Sequence, residues 1–538
     1  MPGKTGRRQT VVALSGRKFW WAVLGIGLLT VVTRLPSLLH PQAIDDEETY
    51  SVVGNVIADG GRPYVDAVER KPPLLFWTYA AVVKAAGKYN WKALHAVALA
   101  WTLATMAGLY VIGRGLFDHT TGLVAALLYS VFQAWAEPRD LAFNGELVMN
   151  LPLVWAWAIG LRRSSSRLRP ELFLAGLLLG AGFLLKQPAA IAAVPLGVYL
   201  LLPAYRSSRS LTPWQSLTQA ALLTAGFATT IGLVALVLDQ QGILREAYFW
   251  TITDQAIPHI FWTKGVGHTL AFVGMCLPLL IGAVLAALAG DTLWKGRNAE
   301  RAALLGLVAA SIIGAAAGMR FYFHYYIQLM PPLALLAAAY YASLWSGRTR
   351  PDHWLLRPAV TCVWLAITVV GFSISDWVGL ASQRATSQTG RYLLEHSAPN
   401  DRIFVWGQAP RIYLEARRRP ACRFVVTFPL TGYVFGWSAQ SIPSIDTRRW
   451  IVPGAWKDLE EDFAKHPPAY IIDVQVPAKN AHYPVRNFPI LANLLAKRYH
   501  PVARTAEGVI YRMNDTRNGL EKTAGAQSNP ASSLLSSP

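Results

Sequence analysis

Apolar residues along this chain fall in blocks rather than in alternation. Each block of roughly 17 to 25 residues is enough for one helix across a ~30 Å hydrocarbon layer. The blocks predict eleven spans, at residues 18 to 38, 93 to 113, 120 to 137, 143 to 161, 171 to 187, 188 to 204, 216 to 238, 268 to 290, 302 to 319, 325 to 346 and 358 to 379. Segment 72 to 88 is apolar too, but at about 1.5 Å per residue it reaches only ~24 Å. Counting it as a span would also place the later basic loops outside. It therefore reads as an interfacial helix at the outer face, with Trp77, Tyr79, Tyr89 and Trp91 at headgroup depth. The predicted class is a polytopic α-helical membrane protein, N-terminus inside and C-terminus outside.

Beyond residue 380 the hydropathy becomes that of a soluble domain. Helices are expected at 384 to 397, 409 to 418, 456 to 466 and 488 to 499, and strands at 402 to 407, 422 to 428, 469 to 475 and 508 to 513. Such alternation predicts a small, largely parallel α/β sheet. The chain thus divides into a basic cytoplasmic tail (1–17), a membrane domain (18–380) whose first outer loop is 40–92, an extracytoplasmic α/β domain (381–514) and a polar tail (515–538) that reads as disordered.

Composition agrees with that division. Of 538 residues, 53% are hydrophobic and 15% charged. A formal net charge of +19 would suit a nucleic-acid binder, but the cations form no continuous surface. They recur between apolar blocks, as Lys4, Arg7, Arg8, Arg17 and Lys18; Arg114; Arg162, Arg163, Arg167 and Arg169; Arg206 and Arg209; Lys295, Arg297 and Arg301; Arg348, Arg350 and Arg357. That is the excess expected of cytoplasmic loops, so the charge reports topology and nucleic acid is not an expected partner. The first block lacks a small-residue cleavage site and reads as an uncleaved anchor. Cys276, Cys362 and Cys422 show no metal-ligand spacing.

With this sidedness the outer loops collect the chemistry. Asp45, Asp46, Glu47 and Glu48 follow the first span, and unpaired burial of four carboxylates would be costly, so they are expected to face water, a partner or a reaction. The same face collects Asp66, Glu69, Arg70 and Lys71, then Glu137, Arg139, Asp140 and Glu146, then Lys186, Asp254, His259, Lys264, Arg320 and His324. A carboxylate can take a proton from an attacking hydroxyl, and separated cations can hold a phosphate that leaves with negative charge. Plainer readings exist for each: Lys71 and Lys186 as interfacial anchors, and His324 as one ring in an aromatic belt with Phe321, Tyr322, Phe323, Tyr325 and Tyr326.

Asp46-Glu47 with Tyr50, then Gly61-Arg62-Pro63-Tyr64, Asp66 and Lys71-Pro72-Pro73 leading into Leu74-Leu75-Phe76-Trp77, resembles the first outer loop of the GT-C glycosyltransferases. The nearest group contains the aminoarabinose transferases of lipid A, protein O-mannosyltransferases and rhizobial core-sugar transferases. Asn144-Gly145-Glu146, Lys186-Gln187 and His324-Tyr325 ahead of Pro331-Pro332 extend the resemblance over residues 18 to 380. It implies a GT-C-like fold and inverting transfer of one hexosyl or pentosyl unit. The donor would be a polyprenyl-phosphate-linked sugar and the acceptor a lipid, glycan or protein at the outer face of the bacterial cytoplasmic (inner) membrane.

On the matching positions the resemblance implies Asp46 as the base or acceptor-orienting carboxylate, and Glu47 as its neighbour in the same catalytic motif. Lys71 and Lys186 would hold the donor phosphate with help from Arg320 and His324, and Glu146 would be a second carboxylate. Tyr50, Asp66 and Tyr325 are further outer-loop candidates. Arg70 stands where some relatives have an acidic residue, so no metal site is expected; no cofactor is predicted, and a divalent cation has no support in the sequence. The rival reading, a transporter or flippase of a lipid-linked sugar, calls for ionisable groups and broken helices near the bilayer midplane. Here the charges gather at one mouth.

Overall fold

The computed structural model describes residues 16–42, 44, 46–134, 138–162, 168–255, 262–347, 358–382, 386–432, 446–476 and 483–514. Asp45, Glu137, His259, Arg163, Arg167, Arg348, Arg350, Arg357, the tail with Lys4, Arg7 and Arg8, and the tail from 515 lie outside the described residues. The chain divides into two units, Met1–Ala385 and Thr386–Pro538.

The first unit opens with α1 (Gly16–Leu39), α2 (Glu47–Ala58), α3 (Pro73–Ala86), α4 (Trp91–Leu116) and α5 (His119–Phe132). It continues through α6 (Gly145–Leu161), α7 (Glu171–Leu185), α8 (Ala193–Leu201), α9 (Pro203–Ser208) and α10 (Pro213–Gln240). Then come α11 (Leu244–Thr251), α12 (Trp262–Met275), α13 (Leu277–Leu288), α14 (Asp291–Trp294), α15 (Asn298–Ala316), α16 (Met330–Trp345) and α17 (Pro358–Ser382). Several starts are written locally. Asn90, Asp118, Asn144 and Thr212 each accept a backbone N–H from three residues on, and Thr212 with Gln215 closes a reciprocal capping box.

Among the described residues six stretches are long and apolar enough to cross a bilayer: α1, α4, α10, α15, Phe323–Trp345 and Ala359–Ser382. The block expected as one span at 268 to 290 is instead broken. Helices α12 and α13 meet at an 82° bend at Cys276, where Pro278 in the first turn of α13 lacks the N–H that would continue the ladder. The apolar helices α3, α5, α6, α7 and Gln187–Leu201 have only 10–17 residues.

Close crossings hold this bundle together. A Cβ on Gly176 of α7 would lie 2.0 Å from the Leu223 carbonyl of α10, and one on Gly226 would lie 2.0 Å from the Phe173 carbonyl. Both positions need glycine so that two backbones can touch, the packing mode favoured where lipid removes the hydrophobic drive. Gly54 does the same for α2 against α3, where a Cβ would meet the Tyr79 Cβ at 2.8 Å. Tyr79 is accordingly not at headgroup depth: it is 1% exposed, and its hydroxyl donates to the Phe143 carbonyl at 2.7 Å. A tyrosine with an internal acceptor has no need of the interface.

The second unit contains α18 (Gln388–His396), β1 (Arg402–Trp406), α19 (Arg411–Ala416), β2 (Arg419–Pro420), α20 (Phe428–Thr431), α21 (Ala455–Lys465), β3 (Tyr470–Val474), α22 (Pro489–Arg498), β4 (Tyr499–Arg504) and β5 (Gly508–Met513). The sheet order is β2-β1-β3-β5-β4; the first three strands are parallel, while β5 runs antiparallel to β3 and β4. The sheet is therefore mixed, not largely parallel. The strand expected at 422 to 428 is not formed: its apolar residues Phe424, Val425, Val426 and Phe428 are buried without joining the sheet, since apolar composition signals burial and not pairing. Strand β4 was hidden by Pro501, tolerated on this edge at a register shift.

Candidate functional site

The turn between α1 and α2 sends two adjacent carboxylates in different directions. Glu47 starts α2 and is fully buried. Its Oε2 accepts from the Ile44 N–H at 2.9 Å and faces His95 Nε2 at 3.2 Å, and its Oε1 accepts from the Phe143 N–H at 2.5 Å. His95 Nδ1 lies 2.7 Å from the Ser37 carbonyl. Both ring nitrogens thus face an oxygen. The expectation that all four acids face water, a partner or a reaction is corrected for Glu47: three donors and the positive end of α2 replace the water that it gives up.

Asp46 turns the other way. Its Oδ2 accepts from the Tyr50 hydroxyl at 2.9 Å, one turn along α2, and its side chain is 38% exposed. Desolvation alone would push its carboxyl up. The charges of His324, Lys71 and Lys186 and the Tyr50 hydrogen bond more than offset that, and hold it below its ordinary value.

Lys71 and Lys186, two of those charges, line a cavity of about 250 Å³ whose wall also includes Glu146, Arg320, Tyr325 and Gln328. Glu146 sits in the first turn of α6, behind the cap in which Asn144 Oδ1 accepts from the Leu147 N–H at 3.0 Å. Lys186 ends α7 in an extended backbone conformation and pairs its Nζ with Glu146 Oε1. Gly145 makes room for that lysine, since a Cβ there would lie 2.7 Å from Lys186 Cδ. The same ammonium lies 4.8 Å from the Tyr325 ring centroid. Glu146 Oε2, also buried, has no hydrogen-bond partner among the described residues.

His324 Nε2 stands between the two carboxylates, 3.9 Å from Asp46 Oδ2 and 3.9 Å from Glu146 Oε1. Its ring stacks on Tyr322 at 5.6 Å and 6° and meets Tyr325 edge-on at 4.9 Å. Lys71 Nζ is 3.7 Å from Glu69, whereas Arg70 points elsewhere, to Asp254 at 2.7 Å. Gln187 ties these loops by donating to the Arg70 and Thr251 carbonyls at 3.0 and 3.2 Å. Arg320 sits between Met319 (φ 48°) and Phe321 (φ 51°), two non-glycine residues in the left-handed region. Such strain, of order 1–3 kcal/mol per residue, persists where the surroundings demand it, and here it holds Arg320 against the cavity.

The structure therefore brings together Asp46, Tyr50, Lys71, Glu146, Lys186, Arg320, His324 and Tyr325, drawn from five separate parts of the chain. It does not bring in Glu47, which braces the turn, or Asp66, which accepts from the Arg62 N–H at 2.7 Å and closes its own loop. Among the described residues no three His, Cys, Asp or Glu side chains converge as a metal ion would need. Two residues around the site, one on the cavity wall and one behind Glu47, were not singled out from the sequence. Gln328 carries no motif signal, while His95 has one: a lone titratable side chain inside an otherwise apolar span.

Residues 70–232 match the family model for dolichyl-phosphate-mannose-protein mannosyltransferase. No curated protein matches the chain. Among solved structures, ArnT from Cupriavidus metallidurans in the apo state is similar at 17% identity and a TM-score of 0.58, over 92% of this chain and 98% of that one. The same protein bound to undecaprenyl phosphate gives 16% identity and a TM-score of 0.56 over 92% and 98% of the two chains. The Archaeoglobus fulgidus oligosaccharyltransferase tethered with an acceptor peptide containing the NVT sequon gives 13% and 0.50 over 93% and 74%. These are likenesses of fold, and with the apolar helices they make this chain a multi-pass membrane protein.

Proposed function

We propose that this chain, a member of the GT-C glycosyltransferase superfamily by fold and family match, transfers one sugar from a polyprenyl-phosphate donor to an acceptor hydroxyl with inversion. The acceptor is a lipid, glycan or protein, and the reaction takes place at the outer face of the bacterial cytoplasmic membrane. One observation carries the reading: a carboxylate held ready by a single tyrosine lies within electrostatic reach of His324, Lys71 and Lys186, and the two lysines line one cavity with Arg320. ArnT, with the same fold, has been seen with undecaprenyl phosphate bound, which supports the donor class.

Each residue then has a task. Tyr50 occupies Asp46 Oδ2, leaving Oδ1 to take the proton of the acceptor hydroxyl. The acceptor oxygen attacks the anomeric carbon from the face opposite the phosphate. The bond from that carbon to the phosphate oxygen breaks, and its electron pair leaves with the polyprenyl phosphate. Lys71, Lys186 and Arg320 stabilise the charge that develops there. Arg320 suits this best, since among the described residues it has no carboxylate partner within ion-pair distance.

The test compares purified wild-type and Asp46→Asn protein for transfer from labelled undecaprenyl-phosphate sugars. The variant is expected to insert and fold, and to lose on the order of 10²- to 10⁴-fold in turnover. Unchanged turnover would remove Asp46 from the role of base and leave the proposed site without its chemistry.

A further inference from the structure

We infer that Glu146 is a stand-in for the donor phosphate: it holds the Lys186 ammonium before the donor binds, then yields it to the phosphate and turns to His324. The inference rests on the transferase reading above. It starts from burial, since the Lys186 side chain is 7% exposed and that of Glu146 0%. An ammonium buried to this degree is costly unless an anion lies against it. If phosphate were its only partner, Lys186 would be left uncompensated after every release of product. A carboxylate offers an ammonium much the same contact as a phosphate oxygen, so Glu146 can fill the interval.

Two further observations mark this pair as exchangeable. Glu47 satisfies both of its buried oxygens, whereas Glu146 leaves Oε2 without a partner among the described residues. His324 Nε2 also waits 3.9 Å from Glu146 Oε1, beyond hydrogen-bond reach but within one small movement of it. That nitrogen is equally 3.9 Å from Asp46 Oδ2, so its capture by Glu146 draws a positive charge away from Asp46. Asp46 then becomes the stronger base, and only once the donor is seated. The device also eases release. The product phosphate monoester carries up to two negative charges against one on the donor diester, and a competing carboxylate limits how tightly Lys186 retains it.

The experiment titrates full-length protein with farnesyl phosphate by calorimetry. Compared are wild type, Glu146→Gln, and the doubly neutral Glu146→Gln/Lys186→Met, each checked for folding by thermal melting. Expected is binding at least tenfold tighter for Glu146→Gln than for wild type, with that gain lost in the double variant. Equal or weaker binding by a folded Glu146→Gln overturns the inference, as does a gain that survives without Lys186. Absence of binding by all three overturns the transferase reading itself. A structure of the wild type with farnesyl phosphate decides independently of any variant's folding. Lys186 Nζ is expected on the phosphate and Glu146 against His324; Lys186 still on Glu146 refutes the exchange.

Discussion

Two acid–histidine pairs grow from consecutive residues of one turn, and they are built in opposite ways. Glu47 and His95 are both fully buried, 3.2 Å apart, and every polar atom of the pair meets a partner: the other member, Ile44 in the turn, Ser37 of α1 or Phe143 ahead of α6. Asp46 and His324 are 3.9 Å apart, and the aspartate keeps 38% of its side chain open. The first pair has nothing left to offer a substrate. The second has unspent hydrogen-bonding capacity, a nearby second carboxylate and a cavity. What separates structure from chemistry here is not residue type but whether each polar atom is already satisfied.

Removing the brace should give the largest effect on stability. Glu47→Ala leaves His95 Nε2 and two backbone N–H groups buried without their partner, an expected loss of about 3–5 kcal/mol. Chemical denaturation in detergent would read it, with activity falling in step with the folded fraction. A Glu47→Ala protein of normal stability and no activity would instead move Glu47 into the reaction.

A milder break is His95→Gln, which keeps one donor near Glu47 and is expected to cost about 1–3 kcal/mol. Turnover per folded molecule should stay near wild type. A drop in kcat at normal stability would erase the contrast between the two histidines.

The smallest expected change comes from His324→Gln, and it lies in the pH profile. The charge of His324 is one of those that hold the Asp46 carboxyl low; without it that carboxyl titrates at higher pH. The base must be ionised, so the acid limb of kcat/KM should move upward while stability changes little. An unmoved limb would mean that His324 does not tune Asp46.

Much of this was legible beforehand. The apolar blocks lie on helices or on the bent pair, and the expected outer-loop residues Lys71, Glu146, Lys186, Arg320 and Tyr325 share one cavity wall. Other expectations failed where a local pattern has two physical solutions. The run at 268 to 290 is apolar whether straight or bent by 82°, and the run at 422 to 428, apolar except for Arg423 and Thr427, reads alike whether paired or merely buried. His95 was visible as a misfit in an apolar span, but its partner was not.

Residue type and run length settled which segments form apolar helices and which loop carries acids, because the apolar character of a segment depends on local composition alone. Which of two neighbouring acids would face the cavity was open until the chain packed. One residue along a helix turns the side chain by about 100°. The donors that claim Glu47 come from Ile44, His95 and Phe143, the last two brought in from about one to two spans away. Hydrogen-bond satisfaction is a property of neighbours in space, and only folding supplies those.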